Sequence, residues 1–419
     1  MQTILDRICT FVWGGGLIAL LLGTGLICTV KLRRVQIRLI RNIPYRVRAE
    51  DGKKGGISQM RAVCLSLGAA MGTGNITGVA AALAAGGAGA VVWMWISALL
   101  GMALVFAENV LSVKFSTGEV RGPMAYLERG ADSRGLAIFF AVCCAAAACG
   151  MGGMVQVSSF AGTLGEISPG VRYIAAAAAF IVIYLSVSGG AERTGAVAQA
   201  VIPAASLLYA AACVAVLIVY RERILPVFRE MFSSAFGIRQ AAGGVGGYAV
   251  SRAVSAGLRR GVFSNEAGLG SSPILHSTAE SKEPERQGFW AMAEVFIDTF
   301  VCCTLTAVTI LCAAPDMTAE GALSAVFGSS AKPFMIAELS AFAYCTVIGW
   351  YHCGETAFRY IFPGADRKML SLAFSLAAAS GAVLTVRSVW TISDIFNGLM
   401  AFPNLAGILL LMKHVKAER

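Results

Sequence analysis

Hydrophobic residues in this chain fall in long unbroken runs, without the period-two alternation of a half-buried or outer-membrane strand. The runs cover about 8–30, 58–85, 88–115, 136–163, 171–190, 195–220, 248–279, 287–313, 334–361, 368–386 and 389–412. A bilayer span takes about 20 mostly apolar residues. The pattern therefore predicts an all-α integral membrane protein of about eleven transmembrane helices with short connections. The first run is too long for a signal-peptide core and has no small-x-small cleavage site before its basic flank, so it reads as a retained helix.

Composition narrows the class further. Of 419 residues, 57% are hydrophobic and 14% charged, against about 25% charged in a soluble domain. Disorder, a collagen-like fibre and a secreted disulfide scaffold are excluded. The twelve cysteines lie mostly inside apolar runs, as at Cys143, Cys144, Cys149, Cys302, Cys303 and Cys312. Without a CxxC pair they read as small hydrophobes.

The net charge of +10 is a matter of placement. Between the first two runs stand Lys31, Arg33, Arg34, Arg38, Arg41, Arg46, Arg48, Lys53 and Lys54. Basic connections stay cytoplasmic. Alternate connections and the tail residues Lys413, Lys416 and Arg419 then share that side, which predicts an outside N-terminus and a cytoplasmic C-terminus. The surplus marks topology and contact with anionic lipid, not a nucleic-acid partner. Segment 31–57, where Val35, Ile37, Leu39 and Ile40 interleave with arginines, reads either as a membrane-surface helix or as a plain loop. Segment 224–240 is a second surface candidate.

Two runs are interrupted by polar residues and glycines. One reads Met71-Gly72-Thr73-Gly74-Asn75-Ile76-Thr77-Gly78, the other Gly261-Val262-Phe263-Ser264-Asn265-Glu266-Ala267-Gly268-Leu269-Gly270-Ser271-Ser272-Pro273. Each glycine weakens a helix interior by up to ~1 kcal/mol relative to alanine. Non-helical backbone at membrane depth is tolerated only where protein encloses it around a cavity. Close packing of small residues would account for Gly74 and Gly78, but not for Asn75, Asn265 or Glu266. Nor is either a phosphate cradle, since Gly72-x-Gly74-x-x-x-Gly78 misses the GxGxxG spacing.

The interrupted runs are five apart. That spacing predicts two five-helix repeats, 58–220 and 221–419, the second inverted because five is odd, with 1–57 preceding them as an extra helix and a basic segment. Matching breaks in two inverted halves point to a transporter site near the bilayer midplane. Half-helix N-termini would face a carboxylate there, and C-terminal carbonyls a cation.

At these residues the chain resembles the alanine or glycine:cation symporter family. The likeness is carried by Gly72-Thr73-Gly74-Asn75-Ile76 with Gly78-Val79-Ala80, Gly86-Gly87 and Trp93-Met94-Trp95, and by Ser264 through Ser271. It continues through Gln287-Gly288, Ile297-Asp298-Thr299, Gly354-Glu355, Asp394 through Met400 and Pro403-Asn404-Leu405. The resemblance implies a leucine-transporter-type inverted repeat that imports a small neutral amino acid, alanine or glycine, with sodium, or with protons as the alternative. It implies a plasma membrane location, the inner membrane in a bacterium, and a monomer as functional unit. By that likeness Thr73, Gly74, Asn75, Gln156, Phe263, Thr346 and Trp350 bind substrate. Sodium would be held near Gly68, Met71, Asn75 and Thr346. Sodium wants oxygen donors, and these carbonyls and side chains can supply them. The chain departs from the family pattern at Ala88, Arg121, Ala125, Ser158, His352 and Cys353.

Ionisable residues within spans are functional candidates. Asp298 is read as an ion-coupling or gating group, or else as half of a buried pair with an arginine. Glu266 is read as stabilising the unwound turn, with a gating role as the alternative. Glu108 is expected to pair with a basic residue. His352 is either a proton carrier or a satisfied polar side chain. An enzyme is disfavoured by three histidines in all and by the absence of HExxH and GxSxG. A channel is disfavoured because filters are usually built symmetrically from several subunits.

Overall fold

A computed structural model describes residues 2–39, 57–164, 169–237, 245–279, 283–314 and 316–415. Among these residues the structure is all helical, with no strand beyond two isolated bridges. Two helices, α1 (Gln2–Val12) and α2 (Gly15–Lys31), open the chain. Next come α3 (Gln59–Ala70), α4 (Thr77–Gly86) and α5 (Gly89–Phe115). One span is formed by α6 (Arg134–Ala147), a π-helical turn at Ala148–Met154 and α7 (Val155–Leu164). Then follow α8 (Pro169–Val187), α9 (Gly190–Val219) and α10 (Arg221–Ala235).

The second part begins with α11 (Val245–Asn265) and α12 (Ser272–His276). Helices α13 (Pro284–Val295) and α14 (Thr304–Ala313) are joined through a π-helical turn at Phe296–Cys303. The chain finishes with α15 (Ala319–Phe327), α16 (Ala331–Ile361), α17 (Arg367–Ser380) and α18 (Val386–Leu411).

Eight helical stretches of the described residues are long and apolar enough to cross a membrane. The three predicted runs outside that set are the two interrupted ones and 368–386, whose helix α17 has 14 residues. Helix α10 covers much of the expected surface segment 224–240, burying Val227, Met231 and Ala235. The surface-helix reading of 31–57 lies mostly outside the described residues.

Burial sorts the spans. The apolar window of α5 is 72% buried, whereas that of α8 is 17% buried and turns Tyr173, Ile174 and Leu185 outward. An apolar surface of that kind suits lipid. The buried hydrophobic residues form two clusters, and the first interrupted run crosses between them: Leu65 and Ala69 belong to one, Met71 and Ile76 to the other. The polar site lies at that seam.

Candidate substrate and ion site

The first break starts where α3 ends at Ala70. Met71 and Gly72 leave the helical conformation, Thr73–Asn75 make one 3-10 turn, and α4 resumes at Thr77. Gly72 sits so close to the scaffold that a Cβ there would lie 2.6 Å from Thr346 Oγ1 and 3.1 Å from Gln156 Oε1. Thr73 donates to Gln156 Oε1 through both its N–H (3.2 Å) and its hydroxyl (3.0 Å). Gln156 is oriented from its other end by donating to Met151 O at 3.1 Å. Thr346 Oγ1 donates to Gly68 O at 2.9 Å, and Thr77 Oγ1 to Thr73 O at 2.8 Å. Carbonyls released by the break are thus partly met by neighbouring hydroxyls, as membrane burial requires.

The second break runs from Glu266 to Ser271 and turns by left-handed backbone at Glu266, Gly268 and Gly270 (φ 56°, 85° and 85°). Its polar groups are met from within and from neighbouring helices. Asn265 Oδ1 accepts from Ala267 N at 3.1 Å, and Ser271 Oγ donates to Glu266 Oε2. From outside, Trp350 Nε1 donates to Glu266 Oε1 at 2.7 Å, and Asn404 Nδ2 to Gly268 O at 2.9 Å. Trp350 packs so closely on Gly152 that a Cβ there would meet it at 2.1 Å.

Asp298 joins the two breaks. It lies in the π-helical turn Phe296–Cys303, an insertion that re-aims side chains and recurs at functional sites. Fully buried, its carboxylate accepts from Asn75 Nδ2 (2.6 Å), Ser264 Oγ (2.9 Å) and Thr299 Oγ1 (2.9 Å). Asn75 Oδ1 is buried beside it without a hydrogen-bond partner. Two carboxylate oxygens and two hydroxyls thus meet at one buried point, and the amide that bonds to them carries an unpartnered oxygen. A buried carboxylate with neutral neighbours is costly without a cation, and a hard cation such as sodium takes oxygen ligands of this kind.

The Phe263 ring packs at a tilt on Trp390, with centroids 4.8 Å apart. The Arg260 guanidinium covers Trp390 at 4.4 Å and Phe263 at 5.5 Å. Beyond them opens a cavity of about 890 Å³, lined by Thr77, Ser158, Ser159, Arg260, Trp390 and Asp394 among others. Thr73 Oγ1 reaches Ser159 Oγ at 3.4 Å, so the cavity wall touches the first break.

Comparison with known proteins decides the lineage: the model of the sodium:alanine symporter family matches residues 1–419. The chain belongs to that family. The sodium/alanine symporter AgcS of Methanococcus maripaludis is 36% identical over 444 aligned residues, covering 99% of this chain and 96% of AgcS. An uncharacterized transporter of Haemophilus influenzae is 35% identical, covering 100% and 95%. The probable sodium/glutamine symporter GlnT of Bacillus subtilis is 33% identical, covering 99% and 90%. Among solved structures, a substrate-bound, outward-open Na+-coupled sialic acid symporter aligns with TM-score 0.52 at 12% identity, over 88% of this chain and 82% of that one. That likeness speaks to fold. Membership makes this protein a multi-pass membrane transporter of the sodium-coupled amino-acid symporter class.

The symporter-family motifs fall where the breaks are. Thr73, Gln156 and Thr346 meet around Gly72. Gly74 faces Phe263, 3.4 Å from where its Cβ would lie, and Asn75 meets Asp298. Trp350 and Glu266 meet each other at the second break. Asp298 is bonded to Asn75, Ser264 and Thr299 in place of the arginine that was one reading. Glu108 takes no basic partner in its bond; it accepts from Asn404 Nδ2 at 2.6 Å. His352 contacts Thr194 Oγ1 at 2.6 Å and Glu355 at 3.5 Å, the arrangement of a satisfied polar side chain.

Ser264 and Thr299 were visible only as motif letters. Their convergence on Asp298 needs the π-helical turn, which leaves no mark in hydropathy. Arg260, Trp390 and Asp394 come together from α11 and α18. A pairing so distant in sequence has no local signal.

Proposed function

We propose that this chain imports a small neutral amino acid, alanine or glycine, together with sodium by alternating access, working as a monomer in a plasma membrane. The carrying observation is the buried Asp298 carboxylate bonded to Asn75 Nδ2 between the two helix breaks, with Asn75 Oδ1 buried and unpartnered on the far side of the same amide. Sodium in that cage would draw on Asp298, Asn75, Ser264 and Thr299. A second position would use carbonyls at Gly68 and Met71 with Thr346 Oγ1. The substrate carboxylate would lie against the first break, at Thr73, Gly74, Asn75 and the start of α4, with the cation neutralising it. Gln156 orients Thr73. Phe263 limits side-chain size by occupying the space beside Gly74. Trp350 acts by holding Glu266 and with it the second break.

In this reading the N-terminus is outside, and the repeats are 58–220 and 221–419. The cavity above Phe263 and Trp390 is then the outer vestibule. On the other side Ile57 N–H donates to Thr278 O at 3.3 Å, tying the inner halves of both broken helices together. Substrate and sodium bound between the breaks would let the outer aromatic pair stay closed while the inner halves part. The ion gradient supplies the drive.

The test is uptake of labelled alanine and glycine into vesicles bearing the chain. Accumulation against a gradient with inward sodium, and none without sodium, supports the proposal. Downhill flux that never accumulates would make the protein a channel and overturn it.

A further inference from the structure

A polar cluster outside the substrate and ion site joins the inner halves of the two broken helices. His276, the last residue of α12, places Nε2 3.0 Å from Glu294 Oε1 and Nδ1 2.9 Å from Gln287 Oε1. The other Glu294 oxygen accepts from Ser66 Oγ of α3 at 2.7 Å. Gln59 of α3 and Gln287 exchange two hydrogen bonds, of 3.0 and 2.7 Å. His276 is 1% exposed and Glu294 5%.

Counting protons makes this cluster more than a structural tie. Within the reciprocal Gln59–Gln287 pair, the Gln287 carbonyl oxygen lies 2.9 Å from His276 Nδ1. An amide oxygen only accepts, so Nδ1 must carry a hydrogen. Nε2 then faces a carboxylate oxygen. Without a second proton, two buried acceptor atoms that have no other hydrogen-bond partner would lie 3.0 Å apart. One proton on the imidazole nitrogen removes the clash.

We infer that the His276–Glu294 contact is a proton-binding site. It is filled while the inner halves of the broken helices are packed together, and it exchanges its proton with cytoplasmic water when they part. The inference rests on the transport reading above for the meaning of that parting. The elements packed against α12 are α3, α5, α13, α16 and the short turn Gly122–Ala125. Cys64 of α3 and Glu266 at the second break lie within electrostatic reach of Glu294; other charged groups on these elements pair as follows. Arg61 of α3 pairs with Glu192, and Glu108 of α5 accepts from Asn404. On α16, Glu355 contacts His352, Arg359 and Arg367. Helix α13 supplies Glu294 itself, with Arg286 two turns before it.

Alkaline cytoplasm would empty the site and oppose the two acceptors, so the inner halves would separate more readily and release would speed up. In right-side-out vesicles, sodium-driven alanine uptake is expected to rise about threefold as internal pH is stepped from about 6 to about 9, a range that covers the charge change of a histidine beside a carboxylate. External pH should not reproduce that change. H276Q should transport with a flat internal-pH profile. H352N/H414N, which leaves His276 as the sole histidine, should keep the wild-type profile.

A flat wild-type profile with robust uptake overturns the proton site and leaves the transport reading standing. An unchanged profile in H276Q, or its loss in H352N/H414N, also overturns it. If H276Q fails to insert, the double variant decides alone. Absence of uptake at every internal pH would remove both proposals.

Discussion

The two helix breaks look alike in sequence and differ in how their polar groups are met. The second is met from both sides: Asn265 and Ser271 serve its own backbone and Glu266, while Trp350, Asn404 and Thr299 bond to it from other helices. Three left-handed residues fix its turn. The first break bonds outward to Gln156 and Asp298 and leaves Asn75 Oδ1 buried and open. A buried polar atom without a partner costs on the order of 1–3 kcal/mol, so it persists where a ligand completes it. The first break is arranged to hold something. The second is arranged to hold a shape.

The largest expected effect strikes the first break where space is tightest. In Gly72→Ala, the methyl would fall 2.6 Å from Thr346 Oγ1 and 3.1 Å from Gln156 Oε1, pushing the Thr73–Asn75 turn off the scaffold. A displacement of about 1 Å at a reacting or binding site can cost ~100-fold. Initial uptake should fall by roughly that factor while surface expression persists. Near-normal uptake would mean that the first break is not the ligand side.

Asn75→Ala comes next. It removes the open oxygen and the donor to Asp298 at 2.6 Å. A hydrogen bond to a charged group contributes about 1.5–3 kcal/mol, so the half-saturating sodium concentration should rise roughly tenfold or more. Titrating uptake against sodium at fixed alanine measures it. A change confined to alanine affinity would move the cation away from Asn75.

How much of this contrast was legible beforehand follows from its causes. The breaks themselves were readable, because glycine and asparagine in an apolar run conflict with helix and bilayer alike. Gly72 to Asn75 and Glu266 to Gly270 stood out for that reason. Glu266, expected to stabilise the unwound turn or to gate, is bonded to Ser271 and Trp350. The meeting of Asp298 with Asn75 was not readable, since it joins residues 223 positions apart through a π-helical turn. The His276–Glu294 contact was equally hidden. His276 lies at the edge of an apolar run, where it looks like a flank, whereas His352 is deeper in its run and already satisfied.

Gly268→Ala tests the second break as a shape. Alanine at φ 85° is strained, and its Cβ would come 2.5 Å from the Leu21 Cδ2 methyl. Backbone strain of this kind costs about 1–3 kcal/mol. Thermal stability in detergent should drop accordingly, while the sodium requirement of the folded fraction stays that of wild type. A shifted sodium dependence with unchanged stability would erase the distinction between the breaks.

The smallest effect, and the sharpest discrimination, is expected from Trp350→Phe. Phenylalanine keeps most of the packing against Gly152 and deletes the indole N–H that Glu266 accepts at 2.7 Å. Ser271 remains bonded to the other carboxylate oxygen, so the second break should loosen without collapsing. Uptake should fall only a few-fold, with alanine and sodium affinities changed together, because the loss acts through the turn and touches neither ligand. Trp350→Ala also removes the packing and should be much worse, since replacing a core tryptophan by alanine costs about 3–5 kcal/mol. If Trp350→Phe instead changed which amino acids are accepted and left overall rates alone, the indole would be a pocket wall in its own right. The second break would then share ligand contact with the first.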